Sequence, residues 1–258
     1  MTEVTLNINK SIEQNTAIYY EKAKKAKKKL KGALRAIETT KKKLAELEKK
    51  KAQEQEKIEK ETAKKPKPEK KQWYENFRWF YSSEGFLCIG GRDATTNEII
   101  IKKHTEKDDL IFHTDIAGSP FFVIKTNGKQ PGKATIEETA QATASYSKAW
   151  KMGISITEVY YINQDQVKKD FGLPKGSFMI HGKRTYSRPE LKLAIGIKNN
   201  KVIGGPLSAI KKNAEKYVII VQGQEKTSSV AKQIQKKIGG SLDEIIRFVP
   251  GGGAQMKQ

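Results

Sequence analysis

The spacing of apolar residues divides the chain into distinct textures. From about residue 11 to residue 62, apolar positions step by three and four through Tyr19, Ala23, Ala26, Leu30, Ala33, Ile37, Thr40, Leu44 and Leu47. That is a narrow a/d seam of period 3.5, which predicts one long coiled-coil helix. No proline interrupts it, and Gly32 is its one glycine. Ser11, with Gln14 three residues on, predicts a capping box at its start. Past Leu47 the seam fails: Lys51 and Glu54 fall on it, and only Ile58 returns. So thin a stripe buries too little for the helix to stand alone. It needs its own C-terminal part folded back near residues 48–52, another copy, or another chain.

The stretch "AKKPKPEKK" over residues 63–71 predicts a boundary. Pro66 and Pro68 forbid helix and stiffen a positively charged linker. From Gln72 the pattern mixes helix and strand. Five aromatics come first: Trp73, Tyr74, Phe77, Trp79 and Phe80. Their 73/77/80 spacing predicts an apolar helical face that packs the rod's exit onto a domain core, with Arg78 pointing outward. Base stacking by those rings is the alternative. Strands are predicted at 86–91 and 98–104 around the turn "RDATTN", then in "DLIFHTD" and "PFFVIKT". A helix is predicted over 135–150, capped by Thr135 with Glu138, and presenting Ile136, Ala140, Ala144, Ser147 and Ala149. Strands follow at 155–163, in "GSFMIHGKR", and in the cleanly alternating "LKLAIGIKN". The end reads as βαβα: "KVIGG", a helix over 206–215, a strand over 216–223, and a helix over 228–238 capped by Thr227 or Ser228. The tail from 250 to 258 has little apolar surface and is expected to be mobile. The fold class is therefore α+β: a coiled-coil segment (1–62), a linker (63–71), a mixed domain (72–192), a small α/β extension (193–249) and the tail.

Charge changes what this architecture is expected to meet. Among 258 residues, 50 Lys and Arg oppose 29 Asp and Glu, a net charge of +21. Residues 18–70 alone hold 20 basic against 9 acidic side chains. Such a balance attracts polyanions, nucleic acid first and an anionic membrane surface second. The rod lysines read equally as a solvated coiled-coil face. The single cysteine, Cys88, lies in an apolar run, fits a small core residue and cannot form an internal disulfide. No apolar run of about 18 residues is present to span a membrane, and the start lacks a signal-peptide pattern. A cytoplasmic location is expected.

Catalytic signals are sparse. His104, His113 and His181 are scattered, so no metal site is expected. No nucleophile elbow, P-loop or Rossmann fingerprint occurs. A hydrolase or nuclease using His113 and Asp115 as an acid–base pair is the enzymatic rival. The glycines of "GGPLSAIKK" before a helix are a weak anion-site signal. Nucleophile, base and oxyanion donor do not appear as a set, so the reading is a binder with no catalytic residue and no cofactor. Its candidate contact residues are Arg78, Arg92, Lys102, Lys103, His113, Lys125, Lys183 and Arg184, at strand ends and turns. Arg92 and Arg184 lie just past glycines, where their guanidinium groups are expected to project and fork a phosphate. For Arg92 an internal ion pair with Asp93 or Glu98 is the equal alternative.

Three segments, "WYENFRWFYSSEGFLCIGGRDATTNEIIIKK", "DLIFHTDIAGSPFFVIK" and "GSFMIHGKR", resemble the RNA-binding domain of the NFACT family. The resemblance is strong from Gln72 to Lys192. The following residues are similar to an extension of archaeal members, and "NINKSIEQNTAIYYEKAKKAKKKL" to the opening of the family's coiled coil. The resemblance implies a part in ribosome-associated quality control. Members bind a large ribosomal subunit whose nascent chain is still on tRNA, and recruit aminoacyl-tRNA to extend it without mRNA. The eight candidate residues become RNA-binding residues on this reading. The implied partners are the large ribosomal subunit and tRNA, with no membrane. Homo-oligomers are expected to be weak or absent, because pairing two such helices sets lysine against lysine. Full-length members begin with an N-terminal domain and a helix-hairpin-helix region, and the former carries an Asp-Arg pair that recruits tRNA. Arg92-Asp93 has the reverse order in another domain and does not inherit that role. The expectation is a split member whose N-terminal NFACT half is a separate polypeptide, or a piece of a longer one. A general nucleic-acid or anionic-surface binder remains the alternative.

Overall fold

The structure, a computed structural model, describes residues 4–63 and 72–257, and side chains outside 50–63. The linker expected at 63–71, Ala63 apart, and the side chains of the seam positions beyond Leu47 lie outside that description. The chain divides into two compact units, residues 1–70 and 71–258. No helix among the described residues is long and apolar enough to cross a membrane.

The first unit is one helix, α1 (Ile12–Ala63). The capping box forms as expected: Gln14 N–H donates to Ser11 Oγ at 3.2 Å, and Ser11 N–H to Gln14 Oε1 at 3.1 Å. Before it, the chain is tied back on the first turns. Asn15 exchanges hydrogen bonds with the backbone of Asn7, and the Tyr19 hydroxyl donates to Thr5 O at 2.6 Å. The helix runs through 48–52 without a break, so a fold-back there does not occur. Leu30, Ile37, Leu44 and Leu47 are each more than half exposed along the seam.

The second unit opens with a 3-10 turn (Trp73–Asn76) and strand β1 (Arg78–Tyr81). The expected aromatic helix is thus absent. As a strand, 77–80 alternates: Phe77 enters one apolar cluster and Phe80 another. Next come β2 (Leu87–Gly90), α2 (Ala94–Lys103), β3 (Leu110–His113), β4 (Phe122–Lys125), α3 (Lys133–Ser145), α4 (Lys148–Lys151) and β5 (Val159–Asn163). The short β6 (Val167–Lys168) and β7 (Met179–Ile180) pair only with each other, and β8 (Thr185–Ser187) follows. β1, β2, β4, β3, β5 and β8 form an antiparallel sheet in that order. Both faces are covered, which explains its continuous apolar strands. Cys88, Phe112, Phe122 and Ile124 face the cluster containing α3; Ile89, Ile111, Phe121 and Val123 face the cluster containing Ile100 and Ile101 of α2.

Residues 94–103, expected as turn and strand, are helix because the cap is strong. Asp93 accepts from Thr96 N–H at 2.8 Å, and Thr96 Oγ1 accepts from Asp93 N–H at 3.0 Å. Ile100 and Ile101 then bury together on the sheet, and this packing outweighs the strand preference of three consecutive isoleucines. α3 starts two residues before Thr135 and is capped at Gly132. Thr135 instead bonds Glu84 and Ser82, while Glu138 accepts from Ser83 N–H at 2.8 Å. Cys88 is buried as expected, and burial pushes its thiol up to about 12.

Residues 193–256 build a second antiparallel sheet, β10–β9–β11–β12. β9 (Leu193–Lys198) and β10 (Lys201–Gly205) are joined through Asn199 and Asn200, both at positive φ, as a two-residue hairpin turn requires. β10 and β11 (Lys216–Glu225) flank β9, linked by α5 (Leu207–Asn213). Gly204 and Gly205 serve packing: an added Cβ would strike Phe248 or Phe80. α6 (Thr227–Ile238) begins after Lys226 with no side-chain cap, unlike the expected Thr227 or Ser228 cap. α7 (Leu242–Phe248) and β12 (Ala254–Met256) complete the unit. The expected mobile tail is therefore part of the fold. Ala254 is fully buried, and Trp150 Nε1 donates to Gly253 O at 2.7 Å. One apolar cluster runs from Phe122 and Trp150 to Leu193, Ile220 and Ile245, so 72–192 and the following segment share a core.

Candidate nucleic-acid interface

One end of the six-stranded sheet carries a cleft of about 510 Å³. Strand register puts it there. Arg78 lies opposite Gly90, Gly90 opposite Phe122, and Phe122 opposite Phe112. His113 follows Phe112 and lies opposite Tyr160, which in turn lies opposite Tyr186. Arg78 of β1, His113 of β3 and Tyr160 of β5 thus come to one end of the sheet, with Phe121 just before β4 and Arg184 just before β8. The N-terminus of α2 and the segment 175–180 add to the walls. Gly91 is required because a Cβ would collide with Asn97, whose amide holds the facing loop through Phe121 N–H (3.1 Å) and Ser119 O (3.3 Å). The segment over the cleft is pinned by Glu98, which accepts from Gly176 N–H (2.8 Å), Lys102 (2.7 Å) and Lys169 (3.3 Å). The Lys102 bond, ahead of the other two, holds the Glu98 carboxyl down at about 2.

Of the eight expected contact residues, the fold gathers four, Arg78, Arg92, His113 and Arg184, around this cleft. None projects freely as expected. Arg78 lies over the Tyr146 ring, 4.1 Å from its centroid, and burial lowers its proton affinity. Arg92 turns inward and donates through one terminal nitrogen to Phe77 O at 2.8 Å, so it does not project freely and is not the ion-pair partner of Asp93 or Glu98. Its Nε is buried with no partner. Its proton affinity is lowered by burial, then by Arg247 and Arg78. Arg184 pairs with Asp115 at 3.0 Å and lies 4.6 Å from the centroid of the Tyr160 ring. His113 stacks on Phe121, with ring centroids 4.1 Å apart, and burial lowers it to about 4. It is neutral at pH 7, and its Nδ1 lies 3.4 Å from the Tyr160 hydroxyl. Asp115 pairs with Arg184, and among the described residues no hydrogen bond links it to His113.

The other four lie elsewhere. Lys125 is buried and held by Asp109 and Glu106 beneath the surface, so it is not available to a nucleic acid. Lys102 and Lys103 are exposed in the last turn of α2, roughly 14 Å of helix from its cleft end. Lys183 is exposed, and its carbonyl accepts from Gln166. Sequence reasoning missed Tyr146, Tyr160, Phe121, Phe178 and Arg247. The aromatics were hidden among ordinary core-like positions, and Arg247 sits some 155 residues away from Arg92. Nothing in local spacing marks such a meeting.

The NFACT protein RNA binding domain family matches residues 76–182, which include most of the cleft. The archaeal Rqc2 homolog aRqcH of Methanocaldococcus jannaschii is 40% identical over 205 residues, 75% of this chain and 30% of the relative. The ribosome quality control complex subunit NEMF homolog of Drosophila melanogaster is 32% identical over 76% of this chain and 20% of the relative. NEMF of Mus musculus is 35% identical over 68% of this chain and 16% of the relative. The chain thus spans less than a third of the length of these relatives. With the domain match and these alignments in agreement, the chain belongs to the NFACT family and carries its RNA-binding domain.

Proposed function

We propose that the chain is an RNA-binding component of ribosome-associated quality control, which binds tRNA and the stalled large ribosomal subunit. It acts by binding, not by catalysis, together with the N-terminal portion of the family, on this chain or a separate one, to support tailing of the nascent chain. The observation that carries the reading is the cationic, aromatic cleft built inside the matched domain. Two relatives named as ribosome quality control complex subunits, and one named as an Rqc2 homolog, add the context. The lysine-rich α1 supplies a long charged surface. Its exposed apolar seam favours a partner of opposite charge over a second copy, because lysines would face lysines. The reading places the protein in the cytoplasm.

The test is competition binding at physiological salt. The full chain should prefer tRNA and large ribosomal subunits over duplex DNA of equal charge. Equal affinity for every polyanion would overturn the reading in favour of a general anionic-surface binder.

A further inference from the structure

The cleft is divided chemically. Arg78 and Arg92 line one end, and Arg247, outside the lining, lies near them. The Arg247 carbonyl lies 3.4 Å from an Arg78 terminal nitrogen, and the three guanidinium groups lie close enough for Arg78 and Arg247 to lower the proton affinity of Arg92. Among the described residues, no carboxylate lies within ion-pair distance of any of the three. The nearest candidate, Asp93, is committed to capping α2. Like charges held together with a buried, unpartnered N–H form an arrangement that a bound anion relieves. Arg184 is the contrast: Asp115 already neutralises it.

At the other end the lining is aromatic, with the paired Arg184 and Asp115 beside Tyr160. His113 and Phe121 are stacked, Phe178 stands edge-on to Phe121 at 5.6 Å, and Tyr160 closes the side. His113 adds a neutral ring there, not a charge. The cavity falls in the size range of small-molecule sites. It is far too small for a duplex, whose bases are in any case shut inside the stack.

Resting on the RNA-binding reading above, we infer that this cleft receives one unpaired nucleotide of an RNA strand. Its base lies against the His113 and Phe178 rings, and its phosphate sits at the Arg78 and Arg92 end, near Arg247. Single-strand binders combine such aromatic platforms with a basic track along the backbone. A planar ring joined to an anion is the ligand shape that uses both ends at once.

The experiment uses the full chain and a fluorescent ten-nucleotide single-stranded RNA, the same sequence as a duplex, and free AMP and UMP. Phe178→Ala should weaken single-strand binding about tenfold, the loss of one stacked base. It should leave duplex binding within twofold and the salt dependence unchanged. Arg247→Ala should weaken single-strand binding and lower the log–log salt slope by about 0.7, one phosphate contact. With the unaltered chain, 4-thiouridine-containing RNA should photo-crosslink within residues 113–121 or at Phe178. That arm does not depend on a variant folding. Crosslinks confined to α1, or equal losses for single strand and duplex, would overturn the inference while leaving RNA binding intact. Tight AMP or UMP binding with no strand preference would assign the cleft to free nucleotides and overturn it too. No binding of any RNA would sink the functional reading itself, and the inference with it.

Discussion

At the scale of single residues, burial decides protonation, and His113 gives the clearest case. Its folded value of about 4 lies below the ordinary 6.5. Between those values the unfolded chain binds more protons, so stability rises with pH across that window. The contribution is fully present above pH 6.5 and is lost as pH falls through 4. Its size is at most about 3 kcal/mol. His113→Phe keeps an aromatic ring against Phe121 and removes the titration. Chemical denaturation at pH 7 and pH 4.5 should show a smaller acid loss for the variant than for the parent; identical losses would contradict a buried neutral histidine. Arg92 is a second case. A projecting arginine would leave stability untouched on truncation. The observed bond to Phe77 O predicts instead that Arg92→Ala costs about 1–2 kcal/mol, measurable as a lower denaturation midpoint. Arg184→Ala, which loses an exposed ion pair, should cost under about 1 kcal/mol.

At the scale of elements, caps and edges override local propensity. α2 exists because Asp93 and Thr96 close its first turn and the sheet receives its isoleucines. Asp93→Ala should therefore destabilise the second unit by about 1 kcal/mol. β12 shows the same dependence on context. It pairs with β11 from Ile220 to Gln222, buries Ala254 and brings Gly253 O to Trp150. Removing residues 250–258 takes away several hydrogen bonds and a buried methyl group, about 3 kcal/mol in all. For a unit of this size the melting temperature should fall by roughly 6–12 °C. An unchanged melting temperature would mean that the strand is dispensable, as the sequence alone suggested.

At the scale of the whole molecule, the apolar core lies in one unit while positive charge lies in both. The first unit carries a lysine-rich helix with little burial; the second holds the apolar clusters and the cleft. Residues 72–258 are thus expected to fold alone and to bind RNA alone. Their log–log salt slope should be smaller than that of the full chain, since each phosphate neutralised contributes about 0.7–0.9. A slope unaffected by removing residues 1–71 would assign all binding to the second unit. Loss of binding would assign it to the helix.

Much of the architecture was legible in order along the chain. The heptad seam and the Ser11 box announced α1, strict alternation announced β9, and the run of apolar residues announced β4, because these signals lie within a few residues of one another. The α+β class and the family followed from the same local evidence. What stayed hidden depends on partners distant in sequence. Residues 98–103 looked like a strand until a sheet appeared for Ile100 and Ile101 to cover. Lys125 looked like a surface contact until Asp109 turned out to lie beside it in the buried layer. The tail looked idle until β11 offered it an edge. The cleft is the extreme instance: Arg78, His113 and Tyr160 come from three strands, and their rings and charges meet only through sheet register and a shared core. The sequence by itself determined the long helix, the cleanly alternating strands and the placement of charge. Only packing decides which distant side chains share one low-dielectric space, and that sharing shifts a histidine's proton and leaves arginines without a counterion.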